Sequence, residues 1–284
     1  MNKKNDKCQS CGYNFYGKYC SNCGEKQFSR EDLSLKKSFK NFIFSISNID
    51  SNLFKSLVLL LKKPGFLTKE YLNGKRTLYL KPLQLFLLIN LLYFLIQPFT
   101  IAQGFNNTLN SQIHRQIYSS LTRKIIETKL QNADTSQKQE YNNRYNSKSE
   151  TFAKSLLLLM VPFLALLLKL LYLKSGKYFV EHLIFSLHFL AFNLLINFIV
   201  LMLVVTVSLY LLNILGLGFI INELLLLLLS STISFIYLYS ALKRVYAQSK
   251  LVTVIKSFLI TFSLFPIIFI YRFILFFITY IFVG

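Results

Sequence analysis

An all-α, multi-pass membrane fold with about five transmembrane helices, preceded by a small amino-terminal metal-binding knot, follows from three observations. Long apolar runs dominate the 284-residue chain after about residue 82, and several approach or exceed the roughly 20 residues needed to cross a bilayer. The mean hydropathy is +0.46, with 54% hydrophobic residues. The only cysteines form the pattern Cys8-x2-Cys11-x8-Cys20-x2-Cys23. A soluble chain of this length would distribute its apolar residues in amphipathic patterns rather than in blocks.

Residues 1–27 read as a zinc ribbon. Each C-x2-C pair is followed by glycine (Gly12 and Gly24), as a knuckle requires when backbone N–H groups turn toward thiolate sulfurs. Four thiolates, Cys8, Cys11, Cys20 and Cys23, suit tetrahedral structural Zn²⁺ and leave no open position for catalysis. Iron or a pair of disulfides are the competing assignments. Two roles fit the knot equally, a docking module and a staple for a terminus too small to hold a core.

Residues 28–82 read as basic amphipathic helices lying on the inner membrane surface. The stretches 33–46 and 51–63 interleave Leu, Phe and Ile with Lys, Ser and Asn, and Pro64-Gly65 ends the second. A small soluble helical subdomain is the alternative. Asn73-Gly74-Lys75-Arg76-Thr77 lacks the second glycine and the hydroxyl directly after lysine of a phosphate loop. It reads as a turn that sets Lys75 and Arg76 against lipid headgroups.

The transmembrane domain, 83–284, holds spans near 83–102, 155–173, 184–212, 219–241 and 257–282. Gly216 and Gly218 mark the connection between the third and fourth. An external polar loop at 103–154 contains one helix candidate, with Leu109, Ile113, Ile117, Leu121 and Ile125 at four-residue spacing.

The formal charge of +20 belongs to the flanks of the spans rather than to nucleic-acid binding. Residues 1–82 carry 16 Lys and Arg against 6 Asp and Glu, and Lys174, Lys177, Lys243, Arg244, Lys250 and Lys256 flank later spans on the same side. The positive-inside tendency puts that side in the cytoplasm, with the carboxy terminus external. Thiolate metal sites persist in a reducing compartment, which points the same way. The 103–154 loop is also net basic, with 8 basic and 4 acidic residues, although this topology makes it external. Residues 1–40 are polar and lysine-rich, so no secretory signal is expected.

Charged and polar residues inside spans ask for partners. Glu223 and Arg272 are candidates for a buried ion pair between the fourth and fifth spans. Glu181, His182, His188, Asn193 and Asn197 form a possible polar site on the third. His182 and His188 are six apart and do not converge on one ion, so hydrogen bonding between helices is the plainer reading. Lys169 sits where it can snorkel to the interface. No nucleophile elbow, H-E-x-x-H or paired-carboxylate arrangement appears.

Four segments resemble a family of uncharacterised bacterial membrane proteins, a domain of unknown function with an amino-terminal zinc ribbon. They are CQSCGYNFYGKYCSNCGEKQ at 8–27, LKKPGFLTKEYLNGKRTLYLKPLQLF at 61–86, YFVEHLIFSLHFLAFNLL at 178–195 and IYLYSALKRVYAQSK at 236–250. The distinctive elements are P-G-x8-G-K-R-x2-Y-x2-P together with E-H-x5-H. The family pattern places a further histidine shortly after the second, where Leu190 stands here. The resemblance implies a bacterial inner-membrane protein and supplies no activity.

Three functions follow in order. The first is a membrane-anchored adaptor or assembly protein, with a protein partner and anionic lipid headgroups on the cytoplasmic side. The second is a small transporter or channel-like protein using the buried polar residues. A membrane enzyme built on the His/Glu face comes last.

Overall fold

In the computed structural model, residues 6–25, 27, 52–100, 105, 107–214 and 223–283 are described. The helix expected at 33–46 and the glycines at 216 and 218 lie outside these residues. Apart from a two-stranded ribbon, the elements are helical.

The ribbon pairs β1 (Asp6–Lys7) antiparallel with β2 (Asn14–Phe15), matching Asp6 with Phe15 and Lys7 with Asn14. Strands of two residues cannot hold themselves together. Its only described core is Cys8, Phe15, Cys20 and Cys23, so cohesion has to come from the thiolates.

Helices α1 (Asn52–Lys62) and α2 (Phe66–Leu72) form a bent pair. Ser56 Oγ donates to Asn52 O at 2.7 Å and accepts the N–H of Leu80 at 2.9 Å, tying α1 to the chain entering the first span. The Pro64-Gly65 corner is set against a later helix. Arg244 Nη1 donates to Pro64 O at 2.6 Å. Gly65 has φ +73°, and a Cβ there would sit 2.8 Å from Ala241 O and 2.9 Å from its Cα. The corner is therefore glycine for two reasons, a left-handed backbone and a backbone-to-backbone approach.

Five helices are long and apolar enough to cross a membrane: Pro82–Phe99, Thr135–Leu171, Phe179–Ile214, Leu224–Tyr246 and Lys250–Val283. The chain therefore reads as a multi-pass membrane protein. The first span contains α3 (Pro82–Ile96), with proline at a first-turn position where its missing N–H costs nothing. α4 (Leu109–His114) and α5 (Ser119–Lys129) follow. The expected single helix over Leu109–Ile125 is thus broken at Arg115–Tyr118, where Thr122 Oγ1 donates across the break to Gln112 O at 2.8 Å.

α6 (Thr135–Leu156) runs through a short 3-10 turn into α7 (Met160–Leu171), so the second span begins as a polar helix. One face of α6 explains its place. Tyr141, Tyr145, Ser149 and Ala153, each four apart, are all buried. Tyr141 and Tyr145 belong to a small cluster with Phe276 and Val283 of α11 (Lys250–Val283).

The third span is α8 (Phe179–Asn193), a π-helical stretch at Leu194–Val200, and α9 (Leu201–Ile214). α8 contacts α2, α3 and α7, and 12 of its 15 residues are buried. α9 has no buried residue. With the start of α10 (Glu223–Tyr246), it exposes Val204, Val207, Tyr210, Leu224, Leu225 and Leu228. In water such a surface is an aggregation liability, whereas a bilayer covers it.

Gly65→Ala should lower the stability of the detergent-solubilised protein by about 2–4 kcal/mol, combining the left-handed strain with overpacking against Ala241. Thermal unfolding followed by circular dichroism checks this.

Candidate metal centre and the polar residues of the bundle

The two halves of the ribbon repeat one hydrogen-bond pattern. Gly12 N–H donates to Cys8 O and Gly24 N–H to Cys20 O, both at 2.9 Å; Cys8 N–H donates to Tyr13 O at 2.9 Å and Cys20 N–H to Glu25 O at 2.7 Å. Gly12 and Gly24 take φ +76° and +71°, the turn each knuckle needs. The four Sγ atoms lie within 4.8 Å of one another, with Cys8–Cys23 at 3.5 Å and Cys11–Cys20 at 3.6 Å. A tetrahedron with Zn–S bonds of 2.3 Å has edges of about 3.8 Å. Disulfide sulfurs would lie about 2 Å apart, so these contacts are not bridges. Cys8, Cys11, Cys20 and Cys23 can hold a metal ion, and the donor set is consistent with zinc.

The thiols are unequal. The backbone N–H of Tyr13 draws Cys11 down to about 6, while burial pushes Cys23 up to about 12. A bound cation needs all four as thiolates and so displaces the protons that remain.

Beside this centre is a residue that sequence reasoning missed. Glu25 is 4% exposed, and its Oε2 accepts from Ser10 Oγ at 2.8 Å and from Arg76 N–H, Thr77 N–H and Thr77 Oγ1 at 2.9 Å each. One carboxylate oxygen joins both knuckles to the turn before α3. Asn52 Nδ2 donates to Thr77 O at 3.0 Å and braces the same turn from α1. Lys75 Nζ donates to Glu70 Oε2 at 2.6 Å, and the Arg76 guanidinium lies 5.2 Å over the Tyr71 ring.

The polar residues of the third span separate into three places. Nδ1 of His182, which is fully buried, is 2.7 Å from Tyr246 Oη, and the two rings stack. His188 Nδ1 is 2.9 Å from Thr68 Oγ1 of α2, with both residues buried. Asn193 and Asn197 come together with Ser234 of α10. Asn197 Nδ2 donates to Asn193 Oδ1 and to Ser234 Oγ at 2.9 Å each, and Ser234 Oγ donates to Asn193 Oδ1 at 2.7 Å. Glu181 Oε2 accepts the N–H of Tyr178 at 3.1 Å, capping its own helix, and lies 3.9 Å from Lys177 Nζ. Thr68, Ser234 and Tyr246 are partners that the sequence did not single out, although Thr68 and Tyr246 lie within the segments at 61–86 and 236–250.

Gln112 Nε2 donates to Arg272 O at 3.3 Å, and the Arg272 side chain lies near Tyr93, Tyr118 and Tyr271. The Glu223 side chain is outside the described residues. Lys169 Nζ donates to Lys177 O at 2.8 Å, at the end of α7.

A family model described as a protein of unknown function (DUF3667) matches residues 50–94. No curated protein and no solved structure matches the chain. The matched stretch contains α1, α2, the Arg76–Thr77 turn and most of α3, the parts that hold the ribbon against the bundle.

Cys20→Ser should abolish stoichiometric metal binding, because three thiolates leave the tetrahedron open. In the wild type, each proton displaced on binding changes the apparent affinity about tenfold per pH unit. Affinity should therefore fall as pH drops from 8 to 6, as measured by competition with a chromophoric chelator.

Proposed function

We propose that the protein is a membrane-anchored adaptor or assembly protein of a bacterial inner membrane, with a structural zinc ribbon on the cytoplasmic side and the carboxy terminus outside. The ribbon and the basic residues around it hold a protein partner, while Lys75 and Arg76 approach anionic headgroups. The observation that carries this reading is the closure of the bundle around α8. His182, His188 and Asn193 are hydrogen-bonded to Tyr246, Thr68 and Ser234 of neighbouring helices within an apolar core. The cavity beside Asn193 is small, about 30 Å³, and lined otherwise by apolar side chains such as Phe86 and Phe105. A packed interior supports an anchor over a conduit.

A transporter is the second reading, favoured by the π-helical stretch beside Asn193, Asn197 and Ser234, since such turns occur often at functional sites. An ion pair between Glu223 and Arg272 is part of either proposal; exchanging the two residues should restore the stability that each single charge reversal removes.

The full-length zinc-loaded protein, purified from its native membrane after cross-linking, should retain one discrete partner that Cys20→Ser loses. Reconstituted vesicles should show no solute flux. Flux abolished by His188→Ala or Asn197→Ala in a folded protein would replace the adaptor with the transporter.

A further inference from the structure

The turn that receives Glu25 has the form of an anion site. The chain reverses at Gly74, with φ +94°, and then sends two successive backbone N–H groups, those of Arg76 and Thr77, to one point. Thr77 Oγ1 adds a third donor from the same residue. Successive N–H groups converging beside a hydroxyl make the concavity by which backbones hold phosphates and carboxylates. Lys75, Arg76 and Lys81 supply positive charge around it, and Glu25 and Glu70 are the opposing acids. Among the described residues, the balance with Glu25 in place is three cations to two carboxylates. With Glu25 withdrawn, the carboxylate left among them is Glu70, which is held by Lys75.

The present occupant does not belong to the segment that builds the nest. Glu25 comes from the ribbon, 51 residues before Arg76, and is aimed by the ribbon's own bonds. Cys20 N–H holds its carbonyl at 2.7 Å, and Ser10 of the other knuckle holds its carboxylate. The nest itself stands on the bundle, since Asn52 braces Thr77 and Ser56 binds Leu80. A site built by one body and filled by a carboxylate from another is open to competition from a second anion.

We propose that the Gly74–Thr77 turn is a phosphate-binding site plugged by Glu25, and that it takes the phosphate of a lipid headgroup or of a free phosphate compound when the plug withdraws. Phosphate is the chemistry that fits. It offers more acceptor oxygens and more charge than a carboxylate, and the turn lies a few residues before the apolar helix α3, where a headgroup would meet the end of a membrane span. The proposal depends on the zinc reading only in that the ribbon must be folded to deliver Glu25.

The test uses the full-length protein in phosphatidylcholine nanodiscs, with zinc content measured on every sample. Inorganic phosphate is titrated calorimetrically in one arm. In the other, nanodiscs containing phosphatidylglycerol are scored for lipid retained by the protein. Glu25→Ala should bind at least one of the two about tenfold more tightly than wild type, a change of about 1.4 kcal/mol. Adding Thr77→Val should remove the gain. A gain for inorganic phosphate assigns a free-phosphate site, and a gain for phosphatidylglycerol alone assigns the headgroup. If Glu25→Ala loses its zinc, chelating the wild type must produce the same gain. Equal binding by plugged and unplugged protein in both arms overturns the proposal. Wild type without one zinc per chain would overturn the zinc reading instead.

Discussion

α8 is the constraint around which the rest is arranged. A helix apolar on every side has to be buried on every side, and this one is enclosed by α2, α3 and α7 and bonded to α10. An unpaired polar group in an apolar interior costs roughly 1–3 kcal/mol. On α8, His182 Nδ1, His188 and Asn193 have partners in the core, whereas Ser186 Oγ and His182 Nε2 have none among the described residues. His188 fixes α2 through Thr68, and His182 and the two asparagines fix α10 at its last residue, Tyr246, and at its middle, Ser234. These bonds set register between helices that dispersion packing alone would let slide.

The short pair α1–α2 carries that order outward. Thr68 faces α8, Gly65 abuts Ala241, and Ser56 holds Leu80, so the pair is locked to the bundle on three sides. The turn that follows presents its N–H groups to Glu25. Two bodies of different construction, one held by thiolates and one by apolar packing, are thereby joined through a buried carboxylate oxygen. The similarity over residues 50–94 falls on this linking piece.

Much of the fold was legible because its signals are local. Apolar runs mark the spans, and the spacing of the cysteines alone brings four thiolates together. What escaped is what depends on contacts distant in sequence. Glu25 looks like a solvated acid after a glycine until a turn 51 residues away supplies its donors. Glu181, His182 and His188 look like one constellation, yet each bonds to a different partner. The polar stretch before the second span reads as a loop by composition. Its Tyr141, Tyr145, Ser149 and Ala153 stripe was the available helical signal, weak because tyrosine and serine are only half apolar.

The measurement that bears most directly on this account is radical footprinting of α8 in the zinc-loaded protein in nanodiscs. Oxidation of a side chain by solvent-generated radicals requires water at that side chain. A packed core around α8 predicts that His182, His188 and Phe189 stay as unmodified as Leu164 and Leu238, which are fully buried on neighbouring helices. Oxidation of His188 and Phe189 at the rate of an exposed residue such as Tyr178 would place a water-filled path along α8 and contradict it.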